Sequence, residues 1–237
     1  MIEIQHVTKK YGTKVALNDL SLTIEEGDIF AFVGHNGAGK TTCIKCMTDI
    51  TLFDTGDILY DGISIKQKPI TCKKQIAYIP DNPDLYEFLK GIDYLNFIAD
   101  IYGMGEERLA KINEYAESFE LKNALANPIS SYSHGMKQKL ALISAFMHNP
   151  KYIILDEPFV GLDPIASHKL KTYMKELTKK GSSIFFSTHV LEVAEKLCNK
   201  IAIIKDGNLV VTGEMKQVLK DKSLEDMFLE LANEKSI

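Results

Sequence analysis

The sequence predicts an α/β protein in which parallel strands, covered on both faces, alternate with helices. Three observations carry that expectation. "IFAFV", "YIILDEP" and "SIFFSTH" are short, continuous apolar runs, as buried parallel strands require. Between the later runs lie helical patterns such as "IASHKLKTYMKELTKKG", giving the order strand, helix, strand, helix. Straight after "IFAFV" comes a glycine-rich stretch, "GHNGAGKTT", which opens a further helical pattern.

In chain order, β-like runs come first: "IEIQHV", "LSLTI", "IFAFV", "GDILYDG" and "QIAYI". A helix-rich middle follows from about Asn82 to Asn149, where "DYLNFIADIYG" and "MKQKLALISAFMHN" place apolar residues three and four apart. These middle helices read as an inserted lobe. The last third alternates strand and helix again, and the tail "EDMFLELANEKSI" reads as an amphipathic terminal helix.

Composition sets the bounds. With 237 residues and 45% hydrophobic content, the chain is long enough for one large domain or two intimate lobes with a core. A net charge of −4 argues against a strongly basic nucleic-acid-binding chain. No apolar run approaches the roughly 18 residues of a membrane span. The start, "MIEIQHVTKKYG", lacks the charged-then-apolar layout of a secretion signal, so the chain is expected in the cytosol. Cys43, Cys46, Cys72 and Cys198 read as free thiols, because the single C-x-x-C of "CIKC" has no second pair.

The glycine loop carries the first chemistry. Gly34-x-x-x-x-Gly39-Lys40-Thr41 follows a strand and opens a helix, the setting in which this spacing holds phosphate. Glycines let successive backbone N–H groups turn toward one anion. The helix N-terminus beyond adds unpaired donors and partial positive charge. Lys40 is expected to span the β- and γ-phosphates, and the Thr41 hydroxyl to ligate Mg²⁺.

A second carboxylate site completes the pattern. The run "YIILDEP" places Asp156 at the C-terminal edge of a buried strand, where α/β sheets bind ligands. Asp156 suits the outer shell of Mg²⁺, and Glu157, pointing elsewhere, suits orienting or deprotonating an attacking water.

Taken together, the chain resembles the nucleotide-binding subunit of an ABC transporter, of the bacterial exporter-like branch, over essentially its whole length. Tyr11 in "KKYG" matches the aromatic that stacks on adenine, and "GHNGAGKTT" (Gly34, His35, Asn36, Gly37, Ala38, Gly39, Lys40, Thr41, Thr42) matches the Walker A motif. "AYIPDNP" occupies the Q-loop, "YSHGMKQK" the signature and "LDEP" the Walker B motif. "VGLDP" gives a D-loop with Asp163, and "STHVLEVAE" the switch histidine, His189. The resemblance implies a P-loop ABC-ATPase fold: a RecA-like mixed sheet core, an N-terminal antiparallel β subdomain and an inserted helical subdomain. One domain over 1–237 is expected, with residues 1–81 and 150–237 as core and 82–149 as the helical lobe bearing the signature.

Two departures from the family pattern stand out. The aligned signature reads Tyr132, Ser133, His134, Gly135, Met136, where the family has Leu-Ser-Gly-Gly-Gln. Ser133 and Gly135 keep the hydroxyl and the bare backbone at a helix N-terminus, while His134 brings a titratable group near phosphate. Asp81 stands where most members have glutamine; it keeps an oxygen for the ion but carries a charge that repels γ-phosphate.

The resemblance further implies a homodimer, or a heterodimer with a similar subunit, paired head to tail with each ATP between Lys40 of one chain and Ser133 of the other. Glu157 and His189 orient the water, and Lys40, Thr41, Asp81 and Asp156 surround phosphate and Mg²⁺. Separate transmembrane permease subunits would dock on the stretch from Asp81 to Gly103, with Leu85, Tyr86 and Phe88 as groove candidates. That places the chain peripherally on the cytoplasmic side of the membrane, driving export of a peptide, antibiotic or hydrophobic compound. The alternative is a soluble ATPase of the same type serving as a regulator or acting on ribosomes or DNA.

Overall fold

The chain opens as a hairpin. Strands β1 (Ile2–Tyr11) and β2 (Lys14–Ile24) pair antiparallel, and Tyr11 opposes Lys14 across the Gly12–Thr13 turn. Gly12 has φ +59°, a left-handed geometry suited to glycine in so tight a turn. Strand β3 (Ile29–Val33) runs into a loop and then α1 (Lys40–Met47). Next come β4 (Thr55–Tyr60), β5 (Ile63–Ser64), α2 (Pro69–Lys73) and β6 (Ile76–Ile79). Helices α3 (Gly91–Ile101), α4 (Arg108–Ser118) and α5 (His134–Phe146) follow. The last third holds β7 (Tyr152–Asp156), α6 (Pro164–Lys179), β8 (Ser183–Thr188), α7 (Leu191–Leu197), β9 (Lys200–Lys205), β10 (Asn208–Glu214), α8 (Met215–Leu219) and α9 (Leu224–Asn233).

This computed structural model describes residues 1–220 and 222–233. The expected terminal helix is α9 as far as Asn233; residues 234–237 lie outside the described residues.

Two sheets form, as the α/β expectation requires. The antiparallel sheet has the order β2-β1-β4-β5, and the larger sheet β10-β9-β3-β8-β7-β6. In the larger sheet only β10 is antiparallel to its neighbour. The β9–β10 hairpin at its edge is a pair of strands that the apolar runs alone do not single out.

Alternation across the larger sheet divides the core. Phe30, Phe32, Ile154, Phe185 and Ala202 point to one face, with α1 and the antiparallel sheet. Ala31, Val33, Ile153, Leu155, Phe186 and Ile203 point to the other, toward α3 through α7. All five residues of β3 and of β7 are buried, which explains why their sequences run apolar without a period of two. Each fully buried Phe or Ile contributes about 1.5–3 kcal/mol of transfer free energy.

Register decides what this core presents. Val33 lies beside Thr188 and Ile203, Asp156 beside Ser187, and Ile79 beside Leu155. The carboxyl ends of β3, β6, β7 and β8 therefore finish along one edge. There the loops from Gly34, Asp81, Glu157 and His189 begin.

Away from that edge, the His148 ring stacks flat on Tyr102, with centroids 3.6 Å apart and planes 8° from parallel. The Tyr102 hydroxyl donates to the Ile76 carbonyl at 2.9 Å, so the stack ties α3 and the α5–β7 loop to β6. Burial lowers the His148 pKa from 6.5 to about 4. The folded state thus favours the neutral ring: its contribution is fully present above pH 6.5 and is lost as pH falls toward 4. Chemical unfolding midpoints measured at pH 7 and 4.5 should show a larger loss for the parent than for His148→Phe, which keeps the stack without the proton. Equal losses would refute the assignment.

Candidate functional site

At the shared strand edge lies a cavity of about 370 Å³. Its lining comes from four places in the sequence: the hairpin end (Tyr11, Lys14, Ala16), the glycine loop and α1 (Asn36, Gly37, Gly39, Lys40, Thr41, Thr42), Asp81 after β6, and Asp156 and Glu157 after β7.

The loop is built on bare backbone. A methyl placed on Gly34 would lie 2.6 Å from the Ile204 carbonyl oxygen, and one on Gly39 2.6 Å from that of Ala16. Gly39 also has φ +115°. Gly37 differs: φ is +84°, with nothing within 4 Å of a methyl there. Close packing behind the loop and open space at Gly37 place bare backbone against the cavity.

Lys40 is buried, with 7% of its side chain exposed. Its ammonium donates to the Gly34 carbonyl at 2.6 Å and the His35 carbonyl at 3.3 Å, and lies 3.7 Å from Glu157 Oε1. The other Glu157 oxygen, Oε2, accepts from the His189 backbone N–H at 3.2 Å and sits 2.9 Å from His189 Nδ1. Glu157 holds these partners from a left-handed backbone, φ +48°, a conformation that costs a non-glycine residue about 1 kcal/mol.

Asp156 is fixed from behind. Ser187, fully buried in β8, donates its hydroxyl to Asp156 Oδ1 at 2.5 Å and accepts the Glu157 N–H at 3.0 Å. One hydroxyl therefore holds the Asp156 carboxylate and the Glu157 backbone. Burial, followed by the fields of Asp156 and Asp81, pushes the Tyr78 hydroxyl up to about 12.

The available donors for a divalent ion are all oxygens: the Thr41 hydroxyl and the carboxylates of Asp156 and Asp81. That set suits Mg²⁺. Among the described residues no three His, Cys, Asp or Glu side chains converge tightly enough to hold a metal unaided. Water and nucleotide phosphate oxygens would complete its shell.

Comparison with known proteins agrees with this geometry. Residues 17–160 match the family described as ABC transporter. The ABC-type transporter ATP-binding protein EcsA of Bacillus subtilis (strain 168) is 33% identical over 240 residues, covering 99% of this chain and 97% of the relative. The chain belongs to the ABC transporter ATP-binding family. A solved structure described as an ATP-binding subunit of an ABC transporter superposes with a TM-score of 0.95 at 33% identity, over 98% of this chain and 100% of that one. A second, the dimeric post-hydrolysis state of the ATP-binding cassette MJ0796 bound to ADP and Pi, has a TM-score of 0.83 at 23% identity, over 91% of this chain and 99% of that one. The family is one of ATPases, and its P-loop fold is the one described above. Among the described residues of this ABC chain, no helix is long and apolar enough to cross a membrane.

Not every expected site residue lines the cavity. Gly34 and Ala38 are buried behind the loop. His35 turns outward, its Nδ1 on the Asn36 carbonyl at 2.8 Å and its Nε2 3.4 Å from Asp206. His189 reaches the site through Glu157. Ser133, Gly135 and Asp163 lie outside the lining. The Ser133 hydroxyl caps α5 by accepting from the Met136 N–H at 3.3 Å. Asp163 caps α6 by accepting from the Ala166 N–H at 2.8 Å, ahead of Pro164 in the first turn. Hydrogen bonding to Lys139, foremost, and to the Ala166 amide lowers the Asp163 pKa.

Of the three groove candidates, Leu85 belongs to the core, whereas Tyr86 and Phe88 are 49% and 82% exposed. Tyr86 packs against Phe88, Tyr94 and Phe97 with centroids 5.7–6.3 Å apart. All four cysteines are buried and free. Ser187, Lys14 and Lys139 escaped the sequence reading. Only Ser187 left a trace there, as a hydroxyl within an apolar strand.

The two glycines make a paired test of the loop. Gly39→Ala meets both a carbonyl and a left-handed backbone and should cost on the order of 2–4 kcal/mol. Gly37→Ala meets the backbone penalty alone, about 1 kcal/mol. Denaturant unfolding of both variants checks this; equal losses would show that the packing behind Gly39 does not matter.

Proposed function

We propose that this chain binds and hydrolyses Mg·ATP at a head-to-tail interface with a second copy, or a similar subunit, and thereby drives transport through separate membrane subunits. One observation carries the reading. The cavity gathers Lys40, Thr41, Asp81, Asp156 and Glu157, yet Ser133 and Gly135 of the same chain are not in its lining. The capped N-terminus of α5, exposed at Ser133, is instead open to a nucleotide held by another chain; the MJ0796 cassette, alike in fold, is described as dimeric.

In this scheme Tyr11 offers its face to the adenine, with Lys9 already 5.0 Å from the ring centroid. The amides from Gly34 to Thr42 hold the phosphates. Lys40 exchanges its carbonyl contacts for phosphate oxygens. Thr41, Asp156 and Asp81, which share the cavity lining, would hold Mg²⁺, which when bound would neutralise charge between the phosphates and the carboxylates. Glu157, oriented by the His189 amide and ring, accepts a proton from the water that attacks the γ-phosphate in line. Cleavage removes the contact that distinguishes the closed pair from the open one, so the pair separates.

The exposed aromatics Tyr86 and Phe88 belong to the surface where a membrane subunit would dock. The lobe spanning 82–149 carries both that surface and the signature, with the remainder as the catalytic core. The chain then works at the cytoplasmic face of the membrane. Export is favoured by the exporter-like form of "YIPDNPDLYE" and "YSHGMKQKL".

The test is Glu157→Gln. With Mg·ATP it should elute as a stable dimer by size exclusion with light scattering, and its turnover should drop at least about a hundredfold. A variant that still turns over at the parental rate would remove Glu157 as the base; a parent and variant that both stay monomeric with the membrane subunit present would remove the scheme.

A further inference from the structure

The signature departs from its family pattern at His134, and the structure places a partner beneath it. A methyl on Gly161 would lie 2.6 Å from His134 Cδ2 and 2.9 Å from Nε2. A methyl on the next signature residue, Gly135, would lie 2.9 Å from the Gly161 carbonyl oxygen. Gly161 is therefore held between two consecutive signature residues. The ring edge lies on its Cα and the carbonyl rests against bare backbone. The carbonyl's approach requires a glycine at 135, and the left-handed backbone, φ +77°, favours one at 161, where the His134 ring then lies close.

The loop that His134 covers is anchored at its ends and by Phe159 and Leu162, which pack against the core. It begins at Glu157, whose N–H is fixed by Ser187, and ends at Asp163, which caps α6 and pairs with Lys139 at 2.7 Å. Phe159 is anchored inward, its ring 5.9 Å from Phe186 and 5.6 Å from the Lys171 ammonium. Val160 is 38% exposed, and Gly161 is exposed with φ +77°. A glycine in that geometry has the greatest backbone freedom to lose. Two backbone bonds bracket it, from the Val160 N–H to the Glu157 carbonyl at 3.1 Å and from the Leu162 N–H to the Phe159 carbonyl at 3.4 Å, and the His134 ring covers the side they leave open.

We propose that His134 is a positioning residue that clamps the 157–163 loop against the first turn of α5. His134 directly follows the cap residue Ser133, so the clamp joins two functional ends in one chain. One is Glu157, which serves the chain's own nucleotide. The other is Ser133, which on the proposed head-to-tail reading serves the nucleotide of the partner. The His134 and Gly161 pair sets their relative position, and with it the turnover rate. The contact is one of shape, so an aromatic ring of similar reach should replace the imidazole.

Amide hydrogen exchange on the nucleotide-free full chain tests the clamp directly. His134→Gly should raise exchange at residues 159–163 roughly tenfold, and His134→Phe should stay within about twofold of the parent. Steady-state ATPase assays should show kcat reduced roughly three- to tenfold in His134→Gly and recovered in His134→Phe. Melting temperature and the Kd for nucleotide of the isolated chain should not change, because neither depends on the loop crest. Gly161→Ala should lower kcat at least about twofold more in the parent than in the His134→Gly background, since removing the ring removes the collision. Unchanged exchange in His134→Gly, an equal defect in His134→Phe, or additive effects of His134→Gly and Gly161→Ala would overturn the proposal. Because exchange is read without nucleotide, the expected exchange pattern in a protein lacking ATPase activity would count against the proposed ATP cycle and not against the clamp.

Discussion

An ammonium with 7% of its side chain exposed lies at the centre of this protein, and its surroundings follow from that. A buried cation is tolerable only where acceptors replace water. Lys40 finds them in the Gly34 and His35 carbonyls and, further off, in Glu157. The two carbonyls come from its own loop, which can fold back only because glycines flank it. The carboxylate comes from a strand two places away in the sheet, brought to the same level by the β3–β8–β7 register. On the proposed reading, phosphate would supply stronger acceptors than these carbonyls.

Charge balance explains the rest of the cavity. Asp81, Asp156 and Glu157 face the same space as Lys40 and Lys14. Three carboxylates near a polyphosphate would repel it unless a divalent cation intervened. Asp81 strengthens this requirement, since an amide at that position would bring no charge. Ser187 acts on a different level. It gives its hydrogen to the Asp156 carboxylate and accepts the Glu157 backbone N–H, where the chain leaves β7 in a left-handed conformation, φ +48°.

On the proposed reading the site is completed by a second chain. Its phosphate loop and carboxylates converge, whereas the signature helix presents its capped terminus elsewhere, joined to the loop after Glu157 by His134, Gly135 and Lys139. Those contacts link Walker B to signature without passing through the nucleotide.

Much of this was legible in the sequence, because local chemistry is written locally. "GHNGAGKTT" after an apolar run specifies a strand, a turn of bare amides and a helix terminus, whatever lies around them. "DP" before "IASHKL" specifies a capped helix start, and "LDEP" a strand end with two carboxylates. The sequence on its own therefore determined the fold class, the glycine loop between strand and helix, and the residue types that line the cavity. It did not determine that Ser187 would lie opposite Asp156, that Leu85 would be buried while Phe88 stayed exposed, or that Gly161 would sit under His134. Those are contacts between segments tens of residues apart. They depend on strand order, register and the path of each crossover, which the tertiary packing of both sheet faces decides and no local pattern encodes.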